Sequence, residues 1–518
     1  MSERLPRPQK IDSDMWVDEA IWGHRLYDEQ TPWLCFMEFL NVLDAEIRAN
    51  RGLAEDVGNR NSLLYSPKSR LYLRHILFNS PQMSLIVKQH PNDNDSQWGT
   101  WIGSMIGVMG GIANPDLTYL RNRFLDFDKF VEVVEFVRSS TIEGENNKRW
   151  SSQFIFPYGP DCLYEDLDVK EDNVSSDRRF FARAGELLYL MLCRSGRGPE
   201  ILDQVSSKIL NSEHKLNRLV AVLQPPVSTQ EYQGTRTNTY LPYAVLEEYR
   251  NLAEDWLCLF RCNLSAYDYV PYLVDLTGLH MIIYSLRQAL ELIGFDEQPS
   301  FVLEIVAPRK TVIRDLASES FAENNILSRR AVEAYINSIK ETEQWTIAVE
   351  DNDITDIRAL MKETFAWPKD SKDHSLDHFH SPEEMFDTFA EAVERRHQQH
   401  VSKFHGVWGR EIGLSSRRGS RRVRYAPHDS LLKTLVLVVV QERMEFKEFL
   451  EAIYLKYGFI IGHRQAGKYI ENGRADQADF EENSKRLEQR LSSMGLLKRL
   501  SDACAYVENP FAIRGTNK

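Results

Sequence analysis

Long apolar runs are the first thing this 518-residue sequence lacks. Its longest aliphatic run, Leu435 to Val440, falls far short of the roughly 20 residues that cross a bilayer, and the opening MSERLPRPQK has no apolar leader segment. A cytoplasmic protein without membrane contact is expected. Cysteine is sparse: six residues (Cys35, Cys162, Cys193, Cys258, Cys262 and Cys504) are scattered, which excludes a disulfide framework and a zinc knuckle. Cys258 and Cys262 stand one helical turn apart with no second pair and read as reduced core thiols. Glycine and proline, 26 and 20 residues, are not in excess, so long disordered tracts are not expected. Positive charge is also short, with 63 Lys and Arg against 76 Asp and Glu for a net charge of −13. A field of that sign repels phosphates, so any nucleic-acid contact has to be local. No repeat at a fixed period is found.

What is present is core enough for about two to four domains. Thr31-Pro32 ahead of WLCFMEFLNVLDAEIRA predicts a capped amphipathic helix. The acidic, turn-rich YGPDCLYEDLDVKEDNVSSD marks a connection, after which a helical block runs to Pro225-Pro226. More helices follow from Tyr243 to Leu292; SFVLEIVAP then reads as a strand and RAVEAYINSIKETEQW as a helix. These breaks divide the chain into a mostly helical domain over 1–160, a central helical domain with a short β element over 177–368, and a connecting segment over 369–425. That segment is acidic and histidine-rich at first and arginine-rich at its end. The last unit, 426–513, is the most readable.

There, Asp429 or Ser430 caps an apolar helix, MEF is extended, and FKEFLEAIYLKYG is a helix stopped by Gly458. A third helix, FEENSKRLEQRLSSMG, is followed by two strand-like pieces, LLKRL and CAYVE. Helix, short strand, helix, connection, helix and hairpin is the order of a winged helix, whose third helix can enter a major groove. The expected fold class is therefore mainly α and multidomain, with a C-terminal winged helix carrying a small β-hairpin. Lys485, Arg486 and Arg490 on the third helix, Lys498 and Arg499 on the first wing strand, and Arg417, Arg418, Arg421, Arg422 and Arg424 just ahead of the domain are the candidate DNA-binding residues. Winged helices also dock proteins, and basic residues on a third helix can be a solvated face.

Candidate chemistry is thin. Gly462-His-Arg-Gln-Ala-Gly-Lys468 has the spacing of a phosphate loop, but Tyr469 stands where the Mg²⁺-binding hydroxyl belongs. His374, His378, His380, His397, His400 and His405, interleaved with Asp373, Asp377 and Glu383, have no established metal spacing. They read as a solvated polar segment with helix-face histidines at 397 and 400. Asp351, Asp353 and Asp356 lack the glycine and glutamate of a calcium loop. Glu304 on its strand and Lys310 beyond Pro308 lack nuclease spacing. In the opening WGHRLYDEQTPW, His24, Arg25, Asp28 and Glu29 are close enough for acid–base chemistry, yet no nucleophile or pocket is in sight. The favoured reading is a polar turn at a helix entrance, with Arg25 paired to Asp28 or Glu29 and with Trp22 and Trp33 buried against the core or a partner.

Two segments, WGHRLYDEQTPWLCFMEFL and YAPHDSLLKTLVLVVV…MEFKEFLEAIYLKYGFIIGHRQA…NSKRLEQRLSSMGLLKRLSDACAYVENPF, resemble an accessory-subunit family of methylation-associated systems in prokaryotic anti-phage defence islands. The resemblance carries over no catalytic motif. It implies a cytoplasmic subunit acting with a methyltransferase, ATPases and a nuclease, and supplying recognition or assembly. Together with the residues this gives a subunit without enzymatic activity, metal or cofactor that contacts double-stranded DNA or partner proteins. Two alternatives stand beside it: a divergent metal-dependent nuclease sited near the histidines or Glu304, and a scaffold that never touches DNA.

Overall fold

In the computed structural model, the chain is described over residues 4–11, 13–54, 62–65, 68–112, 114–142, 153–165, 167–170, 173–176, 181–226, 234–308, 311–368, 379–418, 421–501 and 504–513. It is mainly helical with few strands. Near the start lie a short buried helix, α1 (Asp18–Trp22), and the expected long one, α2 (Pro32–Arg48). Thr31 caps α2 in extended backbone, its side chain accepting from the Leu34 N–H at 3.5 Å, while Pro32 takes the first position, where a missing N–H loses no helical bond.

The centre of the molecule is three helices, α3 (Ala184–Cys193), α4 (Glu247–Phe260) and α5 (Tyr269–Leu292). Every residue of α3 is buried, so its apolar run AGELLYLMLC has no polar face to show. It crosses α2 at Gly185, where a Cβ would stand 2.5 Å from the Phe39 backbone nitrogen, and only glycine allows that approach. A two-stranded antiparallel ladder, β1 (Ser62–Tyr65) with β2 (Gly234–Thr237), lies beside α2 and delivers Arg236 to its buried side.

Beyond α5 come β3 (Phe301–Val302), α6 (Val312–Asn325), α7 (Leu327–Asn337), α8 (Pro382–Gln399) and α9 (Val401–Glu411). A hairpin of β4 (Ser415–Ser416) and β5 (Arg424–Tyr425) leads to α10 (Asp429–Val439), β6 (Arg443–Glu445), α11 (Phe446–Tyr457) and β7 (Phe459–Ile460). The chain then forms α12 (Gln477–Ser493), β8 (Leu497–Ser501) and β9 (Cys504–Glu508). β6 and β8 both run antiparallel to β9, giving the sheet order β6-β9-β8.

Two local expectations need correction. Neither Asp429 nor Ser430 caps α10; its N-cap is His428 without a side-chain bond, because the Asp429 carboxylate accepts from Arg490 Nε at 2.6 Å instead. The third helix begins earlier than the apolar pattern suggested, since Asp476 and Asp479 form a reciprocal capping box ahead of Phe480.

Three features tie the C-terminal elements to the rest. β7 pairs in parallel with β3, so most of SFVLEIVAP is irregular and only Phe301 and Val302 make a ladder. Asn483 on α12 locks that junction: its Oδ1 accepts from the Ile305 N–H at 2.9 Å while its Nδ2 donates to the carbonyls of Leu303 (2.9 Å) and Ile461 (3.1 Å). Asp255 of α4, fully buried, joins His280 Nε2 of α5 (2.7 Å) to Lys456 and the Tyr457 hydroxyl (2.7 Å) of α11. Burial works to raise this carboxyl, but the His280 hydrogen bond and the Lys456 charge hold it below its usual range. One buried apolar cluster runs from Met15 to Val507.

Candidate functional site

The opening stretch is built into the core. Trp22 is fully buried and its indole N–H donates to the Ser285 carbonyl of α5 at 3.0 Å; Trp33 meets Phe156 edge-on at 5.2 Å. Gly23, at φ 100°, turns the chain where a Cβ would lie 2.7 Å from both Leu187 and the Tyr240 carbonyl. His24 is buried, and its Nε2 accepts from the Tyr240 N–H at 3.3 Å and lies 3.6 Å from Glu186. Burial, then the Arg183 charge, pushes the imidazole down to about 3, so it is neutral and carries its proton on Nδ1.

The expected pairing of Arg25 with Asp28 or Glu29 does not occur, because Asp28 and the arginine face other chain segments and Glu29 faces solvent. Asp28 takes His400 Nδ1 at 2.8 Å, Glu29 is exposed, and the Arg25 guanidinium donates to the Arg396 carbonyl (3.0 Å) and Gln399 Oε1 (3.2 Å) at the end of α8.

Behind this turn is a buried ionic cluster that the sequence did not announce. Glu38 of α2 accepts from Gln30 Nε2 (2.6 Å), the backbone N–H groups of Arg183 (3.1 Å) and Gly185 (2.8 Å), and the Arg236 guanidinium. Arg236 also bonds Glu186 at 2.8 Å and lies 3.6 Å over the Tyr65 ring. Burial would raise the Glu186 carboxyl, but Arg183 and Arg236 outweigh it and hold the group ionised well below its usual range. Arg183 itself has φ 82°, a left-handed backbone rare for a side chain of that size. Between the cluster and α8 is a cavity of about 250 Å³ walled by Trp16, His24, Arg25, Tyr27, Arg183 and Arg396.

The histidines beyond Ser381 are not a solvated face. His397 is fully buried, stacked on Trp22 at 6.1 Å, 3.3 Å from Asp18 Oδ1 and 3.2 Å from the Ser328 hydroxyl. His400 packs on the Tyr27 ring at 4.5 Å, and His405 binds the Tyr425 hydroxyl at 2.8 Å; burial takes His405 down to about 4. These histidines hold α8 and α9 against the opening stretch and α6. His374, His378, Asp373 and Asp377 lie outside the described residues, as does Lys310. Among the described residues no three His, Cys, Asp or Glu side chains converge as metal ligands.

Glu304 is equally committed. Its Oε1 accepts from the half-buried Arg314 at Nε, 2.8 Å away, and its other oxygen from the fully buried Arg424 guanidinium, so the buried carboxylate turns no oxygen to solvent for an ion. The phosphate-loop-like stretch ends in a five-residue helix, Gly467–Glu471, with Gln465 bonded to Glu451 at 2.7 Å.

The arginine-rich stretch proves to be the tip of a hairpin. Arg417, Arg418, Arg421 and Arg422 are exposed around the β4–β5 turn. Arg424 is not among them: it is buried in the stem, bound to Glu304 and to the Arg418 carbonyl at 2.8 Å, and so is removed from the candidate contacts.

On α12 the charges are mixed. Lys485 is exposed, but Arg486 pairs with Glu482 and Arg490 is spent on Asp429 and the Pro427 carbonyl (3.0 Å), with Asp479, Glu481 and Glu488 on the same helix. On β8, Lys498 is exposed and Arg499 lies 3.3 Å from Glu488. The hairpin tip adjoins this unit, since Arg418 and Arg490 both act on His428, whose imidazole is lowered first by burial and then by those charges.

Residues 323–508, which span α7 to β9, match the model of the family described as methylation-associated defense system protein MAD7. The match supports a defence-system subunit. It includes the basic hairpin and the α10–β9 elements, and leaves out the opening stretch. No curated protein and no solved structure matches the chain. No helix of the described residues is long and apolar enough to cross a membrane.

Proposed function

We propose that this chain is a non-enzymatic subunit of a methylation-associated defence complex, touching double-stranded DNA with the 417–422 hairpin tip and a C-terminal winged helix. Partner defence proteins, of the methyltransferase, ATPase or nuclease kind, dock on its helical body. The observation that carries this reading is the hairpin: four exposed arginines on a short turn whose stem is clamped by the buried Glu304–Arg424 pair. A clamped stem holds the turn so that its exposed arginines face solvent, where phosphates can approach. Setting aside β7 and the short helix after it, the order α10–β6–α11–α12–β8–β9 with a three-stranded sheet is compatible with a winged helix, and that reading puts the duplex beside β8, where Lys498 and Arg499 stand. The acids on α12 argue against deep insertion of that helix in a groove, since carboxylates beside a phosphate backbone repel it.

The test is duplex binding by the full chain across a range of salt. Replacing Arg417, Arg418, Arg421 and Arg422 together by Ala is expected to weaken binding and to lower the log–log salt slope by about 3 to 4, roughly one unit for each phosphate that is no longer neutralised. Lys485→Ala should change little. Binding that keeps its affinity and slope in the quadruple variant removes DNA from the proposal and leaves a protein scaffold.

A further inference from the structure

The cavity at the opening stretch has an imbalance the DNA reading does not use. Arg25 is half-buried, yet among the described residues no carboxylate lies within ion-pairing distance of it. Its Nε–H is buried without an acceptor, and its guanidinium is carried on the Tyr27 ring at 5.0 Å. Of the acids nearby, Asp28 is paired with His400, Glu19 with Arg396 through one of its oxygens, and Glu186 with Arg183 and Arg236, while Asp14 lines the cavity beyond ion-pairing distance of Arg25. A partly desolvated guanidinium without a counter-charge is costly, and the usual remedy is a bound anion.

The donors around the cavity fit one. Arg396 lies beside Arg25, its carbonyl accepting from the Arg25 guanidinium, while its own guanidinium holds Glu19 and the Met15 carbonyl at 2.6 Å. His24, neutral by burial, has its Nε2 occupied by the Tyr240 N–H; its Nδ1–H has no partner among the described residues. Arg183 adds positive charge at the wall. These donors come from three separate chain segments, at 24–25, 183 and 396. A planar carboxylate is satisfied by a single arginine fork, whereas a tetrahedral phosphoryl group presents oxygens in several directions and suits donors that converge from different sides.

We propose that this cavity binds a small phosphoryl-bearing molecule, its phosphate seated against Arg25 and Arg396 with the His24 Nδ1–H as a further donor. Trp16 and Tyr27 supply the apolar wall for the remainder of the ligand, and a volume of about 250 Å³ admits a small metabolite and excludes a polymer.

The probe is inorganic phosphate, titrated into the full chain at constant ionic strength and followed by calorimetry and thermal unfolding. Saturable binding with a dissociation constant in the millimolar range or tighter is expected, weakened at least about tenfold in Arg25→Gln, the factor that one charge-assisted hydrogen bond is worth. Should Arg25→Gln fold poorly, Asn238→Asp serves instead: it lines the same cavity at φ 59°, which Asp tolerates, and adds a repelling charge. The hairpin quadruple-alanine variant should bind phosphate as the parent does, which separates this site from the DNA surface. Absence of saturation by about 10 mM phosphate, far above a millimolar constant, overturns the proposal. So does undiminished binding in both cavity variants.

Discussion

At the scale of single residues, a few buried polar side chains carry more than their neighbours. Asn483 satisfies one N–H and two carbonyls in two irregular segments, at 303–305 and 461, so Asn483→Ala leaves all three backbone groups buried and unpaired. A loss of about 2–4 kcal/mol in denaturant unfolding is expected. Asp275 of α5 behaves differently: burial pushes its carboxyl up to about 7, against which the Thr434 hydroxyl donates a 3.0 Å bond. A folded-state pKa above the unfolded 3.8 means stability that is complete at low pH and lost as pH climbs toward 7. Asp275→Asn should match the parent near pH 4 and exceed it by about 1–2 kcal/mol near pH 8, the full shift being discounted for partial exposure. His24 and His405, lowered to about 3 and about 4, act with the opposite sign: their contribution is intact above 6.5 and falls away on acidification through those values. A thermal unfolding series from pH 3 to 8 reads both limbs, and the parent should be most stable between them.

At the scale of elements, local signals were legible and long-range ones were not. The Thr31-Pro32 cap, the Gly458 stop at φ 73° and the strands 497–501 and 504–508 follow from nearest-neighbour chemistry that a sequence displays directly. The parallel contact of β3 with β7 joins residues 158 positions apart in register, and no periodicity encodes it. The same holds for the cavity: His24 and Arg25 drew notice, but Glu38, Glu186 and Arg236 sit in apolar or turn-like surroundings that disguise their partnership. In the sequence Arg424 is one more member of an arginine run; only its place in the buried β5 stem, paired with Glu304, sets it apart. Glu304→Gln is therefore expected to leave Arg424 buried without its counter-ion, costing about 3–5 kcal/mol by calorimetry. It should also reduce duplex binding although no tip arginine is altered, because the turn is no longer fixed.

At the scale of the whole molecule, the C-terminal elements are completed by residues that precede them by more than a hundred positions. Val302 and Ile313 pack with Ile460 and Phe480 in a small core of their own, and Phe301 meets Phe459 at 5.5 Å. A fragment of residues 426–513 should accordingly be poorly soluble and lack cooperative unfolding, whereas 297–513 should show a sharper transition; circular dichroism melts of the two decide it. The polar stitch at Asp255 adds that even the longer piece leaves Lys456 and Tyr457 without their acceptor. The family match over 323–508 thus begins inside a packing unit, downstream of the strand that closes it. Recombination, or a designer moving this unit to another host chain, would have to carry the segment from the 300s along, or deliver a raw hydrophobic edge in its place.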